Sequence, residues 1–164
     1  MKKTGFTLVE ILIVVIILGI LAAIVIPQFT EASNDARSSA LESDLQTVRS
    51  QLELFKVQHL EKYPWEILAS PDSDGIKGLL TARTNSAGDI MPDSGNPTDY
   101  PFGPYLEKFP ANAFVSGADA TAAISLGTDD PAPGDAATGW YVNTEKGKFS
   151  ANSDKTKYPD HIKL

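Results

Sequence analysis

The chain has 164 residues, a formal charge of −7 and no cysteine. That length holds one globular domain and one further element, not two well-buried cores. Without cysteine, disulfides and thiol chemistry are excluded, so packing, a bound metal or assembly with neighbours must stabilise the domain. The charge is unevenly spread. Two of the 14 basic side chains, Lys2 and Lys3, and one of the 21 acidic ones, Glu10, precede Gln28, leaving 12 against 20 beyond it, a net of −8. An acidic body lacks the basic footprint that nucleic acid demands, but it is no obstacle to divalent cations.

The first element is an apolar run from Phe6 to Ile26, 21 residues with Glu10 as the only charge. As a helix it would span about 31 Å, close to the hydrocarbon thickness of a bilayer. Lys2 and Lys3 hold the short N-terminal side in the cytoplasm and send the rest outward. A secretory signal peptide has a shorter apolar core and a small-residue cleavage site; this run flows instead into Pro27-Gln28-Phe29. A plain one-pass anchor accommodates the length but gives no reason for Glu10. A carboxylate in lipid costs several kcal/mol by any scale (roughly 2.5 or more) and usually faces a partner or polar path. Glu10 either snorkels or stays protonated near the cytoplasmic boundary, or it meets a positive charge from another molecule.

The residues Gly5-Phe6-Thr7-Leu8-Val9-Glu10 and the apolar stretch after them resemble the class III signal of type IV pilins and type II secretion pseudopilins. The resemblance covers Lys2 to Phe29. It implies that a prepilin peptidase cuts between Gly5 and Phe6 and that Phe6 is then N-methylated. Glu10 becomes the glutamate that meets a neighbour's free amino terminus during assembly. Gly19 and Pro27 correspond to the small residue and proline at which the family's membrane helix loosens or bends. The physical case for assembly stands beside the resemblance: cleavage creates an ammonium at Phe6, and both it and Glu10 lack a good partner in lipid. A neighbour displaced along a filament axis can bring them together, although compensation within one chain, one turn away, stays open. Such a pair selects register more than it adds stability. Apolar helix packing supplies the affinity, and Gly19, Ala22 and Ala23 permit close approach.

Beyond Pro27, apolar residues recur at Phe29, Ala32, Ala36, Leu41, Leu45, Val48, Leu52 and Phe55. From Leu41 the spacing is three or four throughout, the mark of one helical stripe. Tyr63-Pro64 ends the pattern, so the helix is expected from Thr7 to about Lys62, about 84 Å in all. His59, near its end, has no cysteine nearby and only His161 as a second histidine, and is expected to be solvent-facing or at an interface. From Tyr63 to Tyr105 the chain reads as irregular loops with one short helix around 76–82. The stretch Gly103-Pro104-Tyr105-Leu106, with Pro110 beyond it, resembles the loop that leads to the small sheet in major pseudopilins, although Asn112-Ala113-Phe114 stands where a proline–tryptophan–glycine run is often found. A strand is expected at 122–126, and a hairpin at 139–143 and 148–152 about a turn whose Gly147 takes a positive φ. Trp140, Tyr141 and Phe149 are expected in the core. Between the strands, Asp129, Asp130 and Asp135 sit in a bent, oxygen-rich loop of the sort calcium uses. The resemblance strengthens the expectation of a structural calcium there; a solvated acidic turn is the plain alternative.

The expected fold is therefore α+β and type IV pilin-like: a long N-terminal helix packed on a small C-terminal antiparallel sheet with long loops. Its parts are a leader (1–5), a membrane and filament-core helix (6–27), an amphipathic helix (28–62) and a loop-rich periplasmic domain (63–164). No phosphate-binding glycine loop, H-x-x-x-H pair or triad spacing supports an enzyme, and a single-pass anchored enzyme is the weakest reading. The resemblance points to a major pseudopilin of a type II secretion system that helps export folded proteins across the outer membrane. The alternative is a major type IV pilin of a surface fibre for adhesion, motility or DNA uptake. Either reading implies a homopolymer through the N-terminal helices, starting in inner-membrane lipid with the C-terminal domain in the periplasm. It implies a prepilin peptidase, an inner-membrane assembly platform and minor pseudopilins as partners, and no nucleic acid in the secretion reading.

Overall fold

A computed structural model describes residues 5, 7–117, 120–129 and 137–153. Helix α1 runs from Leu8 to Gln58 and is continuous through Pro27. The proline removes the amide that would meet the Ala23 carbonyl, and one turn on, the Thr30 hydroxyl donates to the Ile26 carbonyl at 3.1 Å. The chain divides into two compact units between Ser39 and Ala40.

In the second unit, Leu41, Leu45, Val48, Leu52 and Phe55 are the buried residues of α1. The apolar pattern upstream does not continue that face: Phe29, Ala32 and Ala36 are exposed. Only steps of three and four keep a stripe in line on a helix, and the five-residue step from Ala36 to Leu41 breaks it. The stripe packs with Trp65, Ile76, Leu79, Leu80, Leu106, Phe109, Ile124, Trp140, Val142 and Phe149 in one core. Trp140 stacks on Phe149 at 5.3 Å, and Phe109 meets both edge-on.

The helix stops earlier than expected, at Gln58 instead of Lys62. Leu60 and Glu61 take left-handed φ values of 57° and 61°, and the Glu61 amide donates back to the Lys56 carbonyl at 3.0 Å. This reversal brings Tyr63 back beside the helix, where its hydroxyl donates to Glu53 at 2.8 Å and its ring stacks on Trp65 at 4.6 Å. His59 is corrected too: it is 1% exposed. Its Nδ1 lies 2.8 Å from the Phe55 carbonyl and its Nε2 3.0 Å from the Thr84 hydroxyl, with the ring stacked on Phe55. The reason is spacing, since His59 stands four residues after Phe55 on the buried face.

Two short helices interrupt the loops, α2 (Pro64–Ile67) and α3 (Ser73–Thr81). The Asp72 carboxylate accepts the Gly75 amide at 2.6 Å and starts α3 earlier than the apolar run suggests. The amides of Tyr105 and Leu106 both donate to the Leu80 carbonyl at 2.9 Å, fixing the loop to the end of α3.

The sheet contains β1 (Ile124–Gly127), β2 (Trp140–Asn143) and β3 (Lys148–Ala151) in that order. Strands β2 and β3 form the expected antiparallel hairpin, with Gly147 at φ 61°. Strand β1 pairs with β2 in parallel, so the sheet is mixed and not purely antiparallel. The stretch between Gly127 and Trp140 is about a dozen residues, enough to carry the chain back and start β2 in the direction of β1. Trp140, Tyr141 and Phe149 are buried as expected. The Arg49 side chain donates from Nε to the Phe149 carbonyl at 2.9 Å and ties α1 to the edge strand.

Candidate assembly surface

From Leu8 to Ile26, every large apolar side chain of α1 is at least 50% exposed. The helix is long and apolar enough to cross a membrane by length and composition. A helix apolar on all sides must be covered by lipid or by other protein. Within it, Gly19 has open space around it: a Cβ added there would meet no atom within 4 Å. Among the described residues, nothing within one copy requires a glycine at that position. Gly5 is described and similarly open; Phe6 lies outside the described residues.

Glu10 has a local role that its composition-breaking charge concealed. Its Oε2 accepts the Thr7 amide at 3.2 Å and the Thr7 hydroxyl at 3.3 Å, while Thr7 Oγ1 accepts the Glu10 amide at 3.2 Å. This reciprocal capping box satisfies donors at the start of α1 that would otherwise be orphaned. Its signal, Thr-x-x-Glu ahead of an apolar run, was present in the sequence. The carboxylate is exposed and keeps acceptor capacity for a further partner.

In the second unit, a further face of α1 is exposed and uncharged. Ala40, Ser43, Thr47, Ser50, Leu54 and Val57 follow one another at steps of three and four, with Leu54 45% and Val57 69% exposed. The Thr47 hydroxyl donates back to the Ser43 carbonyl and the Ser50 hydroxyl to the Gln46 carbonyl, both at 2.9 Å. The ridge thus presents uncharged side chains, small from Ala40 to Ser50 and larger and apolar at Leu54 and Val57, with Glu42, Arg49, Glu53 and Lys56 to one side.

Of the residues expected to hold calcium, Asp129 is described, and Asp130 and Asp135 lie outside the described residues. The Asp129 carbonyl accepts the Tyr141 hydroxyl at 2.7 Å. Just before β2, the Thr138 hydroxyl meets Ser125 Oγ at 2.7 Å and accepts the Asn152 side-chain amide at 3.0 Å. Asn152 is fully buried, and its Oδ1 has no hydrogen-bond partner among the described residues. Among the described residues, no group of three or more His, Cys, Asp or Glu is placed to hold a metal.

Residues 1–26 match the family model for the prokaryotic N-terminal methylation motif. Over 111 residues the chain is 31% identical to the type II secretion system core protein G of Pseudomonas aeruginosa, covering 68% of each chain. The chain belongs to the core protein G family. It is 30% identical to the core protein G of Pectobacterium carotovorum over 109 residues, 66% of this chain and 60% of that one. The chain thus spans about 60% of the length of that relative. It is also 38% identical, over 89 residues, to the type IV narrow pilus major component of Thermus thermophilus, 52% of this chain and 76% of that protein. No solved structure matches the chain. As a core protein G family member, the chain pairs a methylation-motif helix with a domain anchored by Leu41 to Phe55, and the Gly5–Phe6 junction falls inside the matched motif.

Proposed function

We propose that this chain is the repeated subunit of a helical pseudopilus, the major pseudopilin of a type II secretion system that helps export folded proteins across the outer membrane. The observation that carries it is the all-round apolar exposure of α1 from Leu8 to Ile26 with a single carboxylate, Glu10, inside it. Among the described residues, nothing covers that surface. The chain first lies in inner-membrane lipid, with its N-terminus cytoplasmic and its domain periplasmic. A prepilin peptidase cuts between Gly5 and Phe6, and Phe6 is methylated. An assembly platform then passes the helix from lipid into the filament, where other copies and minor pseudopilins replace the lipid.

In this reading Glu10 has two successive partners. Before assembly its carboxylate caps α1 through Thr7; in the filament it also receives the Phe6 ammonium of a neighbour. The open space at Gly19 and the flexibility gained at Pro27 accommodate close helix contact. The ridge from Ala40 to Val57 supplies uncharged contact surface beyond the membrane. The chain acts by assembling, with no catalytic role of its own. Calcium, held by Asp129 with Asp130 and Asp135, would pin the loop between β1 and β2.

Glu10→Gln and Glu10→Ala test the central step. In cells with an intact platform, both variants should be processed and accumulate as monomer, with filament yield down at least tenfold. Normal filament yield from either would overturn the reading. The type IV pilus reading draws on the likeness to the Thermus pilus component. Deleting the chain separates the two: retention of secreted proteins supports the pseudopilus, and loss of surface fibres with secretion intact supports the pilus.

A further inference from the structure

Among the described residues of the second unit, the exposed large apolar side chains are Leu54, Val57 and Leu60, where α1 ends, and Ile90, in the loop beyond α3. Leu54 and Val57 face away from the domain. With 3.6 residues per turn, they lie roughly 140° and 160° round α1 from the middle of the buried stripe of Leu41 to Phe55. Ile90 is on the other side. Its backbone bridges to Thr84, and the Thr84 hydroxyl meets His59 on the stripe side of α1. The loop that carries Ile90 is held firmly. The Met91 amide donates to the Arg83 carbonyl at 2.8 Å. Asn85 Oδ1 accepts the Ala87 and Asp89 amides at 3.0 and 2.9 Å, and Asn85 Nδ2 donates to the Asp89 carboxylate at 2.9 Å. Ile90 rests on α3 at Gly78, where an added Cβ would stand 3.2 Å from its Cδ1. A fixed loop thus keeps an apolar side chain 43% exposed, with the half-buried Met91 next to it.

We propose that the Leu54–Val57 end of the ridge on one copy packs against the Ile90–Met91 loop of the next copy. The proposal rests on the filament reading and goes further, naming the two patches through which neighbouring domains touch. An open filament needs a heterologous contact, made by two different patches of the same molecule. One patch on the outer face of α1 and one on its domain side meet that need, because a copy can use both at once. The first patch continues the uncharged ridge from Ala40. Copies that each carry a net charge of −8 beyond Gln28 repel one another, and a contact between uncharged side chains removes apolar surface from water without desolvating a charge. Each patch is small, so the contact is weak between free domains and counts only where the helices already hold copies together.

Disulfide trapping tests this against a clean background, since the chain has no cysteine. A Val57→Cys, Ile90→Cys double variant, assembled in cells with an intact platform and oxidised in the filament, should run as a ladder of dimers, trimers and longer species on a non-reducing gel. Each single variant alone should stay monomeric, and the two single variants expressed together should stop at the dimer. Leu54→Cys with Met91→Cys gives a second pair should the first not assemble. Filaments of normal yield in which neither pair forms a disulfide between copies, or in which a single variant dimerises by itself, would overturn the proposal while leaving the filament reading intact. If the wild-type chain forms no filaments, both fall together.

Discussion

Glu10 and Asn112 are polar residues whose roles differ from what their neighbours suggest. Glu10 stands out in the sequence as a charge in an apolar run, and its assembly role belongs to the proposed function. Its bond to Thr7 was encoded by a three-residue spacing that the apolar run around it obscured. Asn112 was seen only as a departure from a family pattern. It is fully buried, its amide donates to the Gly139 carbonyl at 2.8 Å and to Ser153 Oγ at 3.1 Å, and its Oδ1 accepts the Phe114 amide at 2.9 Å. It joins a loop, the start of β2 and the end of the hairpin. Asn112→Ala leaves buried partners unsatisfied and should cost about 2–4 kcal/mol, read as a lower urea midpoint for the full chain in detergent. An unchanged midpoint would mean that the three partners find others. His59 teaches the opposite lesson: a polar identity suggested the surface, but its four-residue spacing from Phe55 places it inside.

At the scale of elements, periodicity was a sound guide wherever its steps stayed at three and four. The stripe from Leu41 to Phe55 is the buried face of α1. Phe29, Ala32 and Ala36, reached across a five-residue step, are exposed and available to neighbours. Helix α3 was foreseen from its apolar residues, but its start was set by Asp72, which the loop-like composition of SPDSDG concealed. Asp72→Ala should remove about 1 kcal/mol of stability and increase amide exchange in the first turn of α3, measured by mass spectrometry. Exchange confined to its wild-type rate would show that the cap is dispensable. The β2–β3 hairpin was legible because aromatic and β-branched residues flank a glycine turn. The parallel pairing of β1 was not, because strand direction depends on the path of a dozen connecting residues and leaves no periodic trace.

At the scale of the whole molecule, a chain with no disulfide must stabilise a small, loop-rich domain by packing, by metal or by assembly. Packing is provided by the core of α1, α3 and the sheet. For the metal, the expected outcome is that adding chelator to full-length chain in detergent lowers the unfolding temperature by several degrees, and that excess calcium, but not magnesium, restores it. An identical melt with and without chelator would remove calcium from the account. Assembly is provided, in the proposed function, by the apolar surface of α1.

The methylation motif, the membrane-length helix, the lone carboxylate within its apolar run and the stripe that seats the domain are all written in the sequence. These are local or periodic features, written in composition and spacing along one segment. The parallel course of β1 beside β2, the burial of His59 and Asn112, and the cleft that Arg49 shares with Lys146, 97 residues away in the chain, appear only in the folded molecule. Those depend on which distant segments meet, and meeting is settled by the packing of the whole core, where no single stretch of residues carries the information.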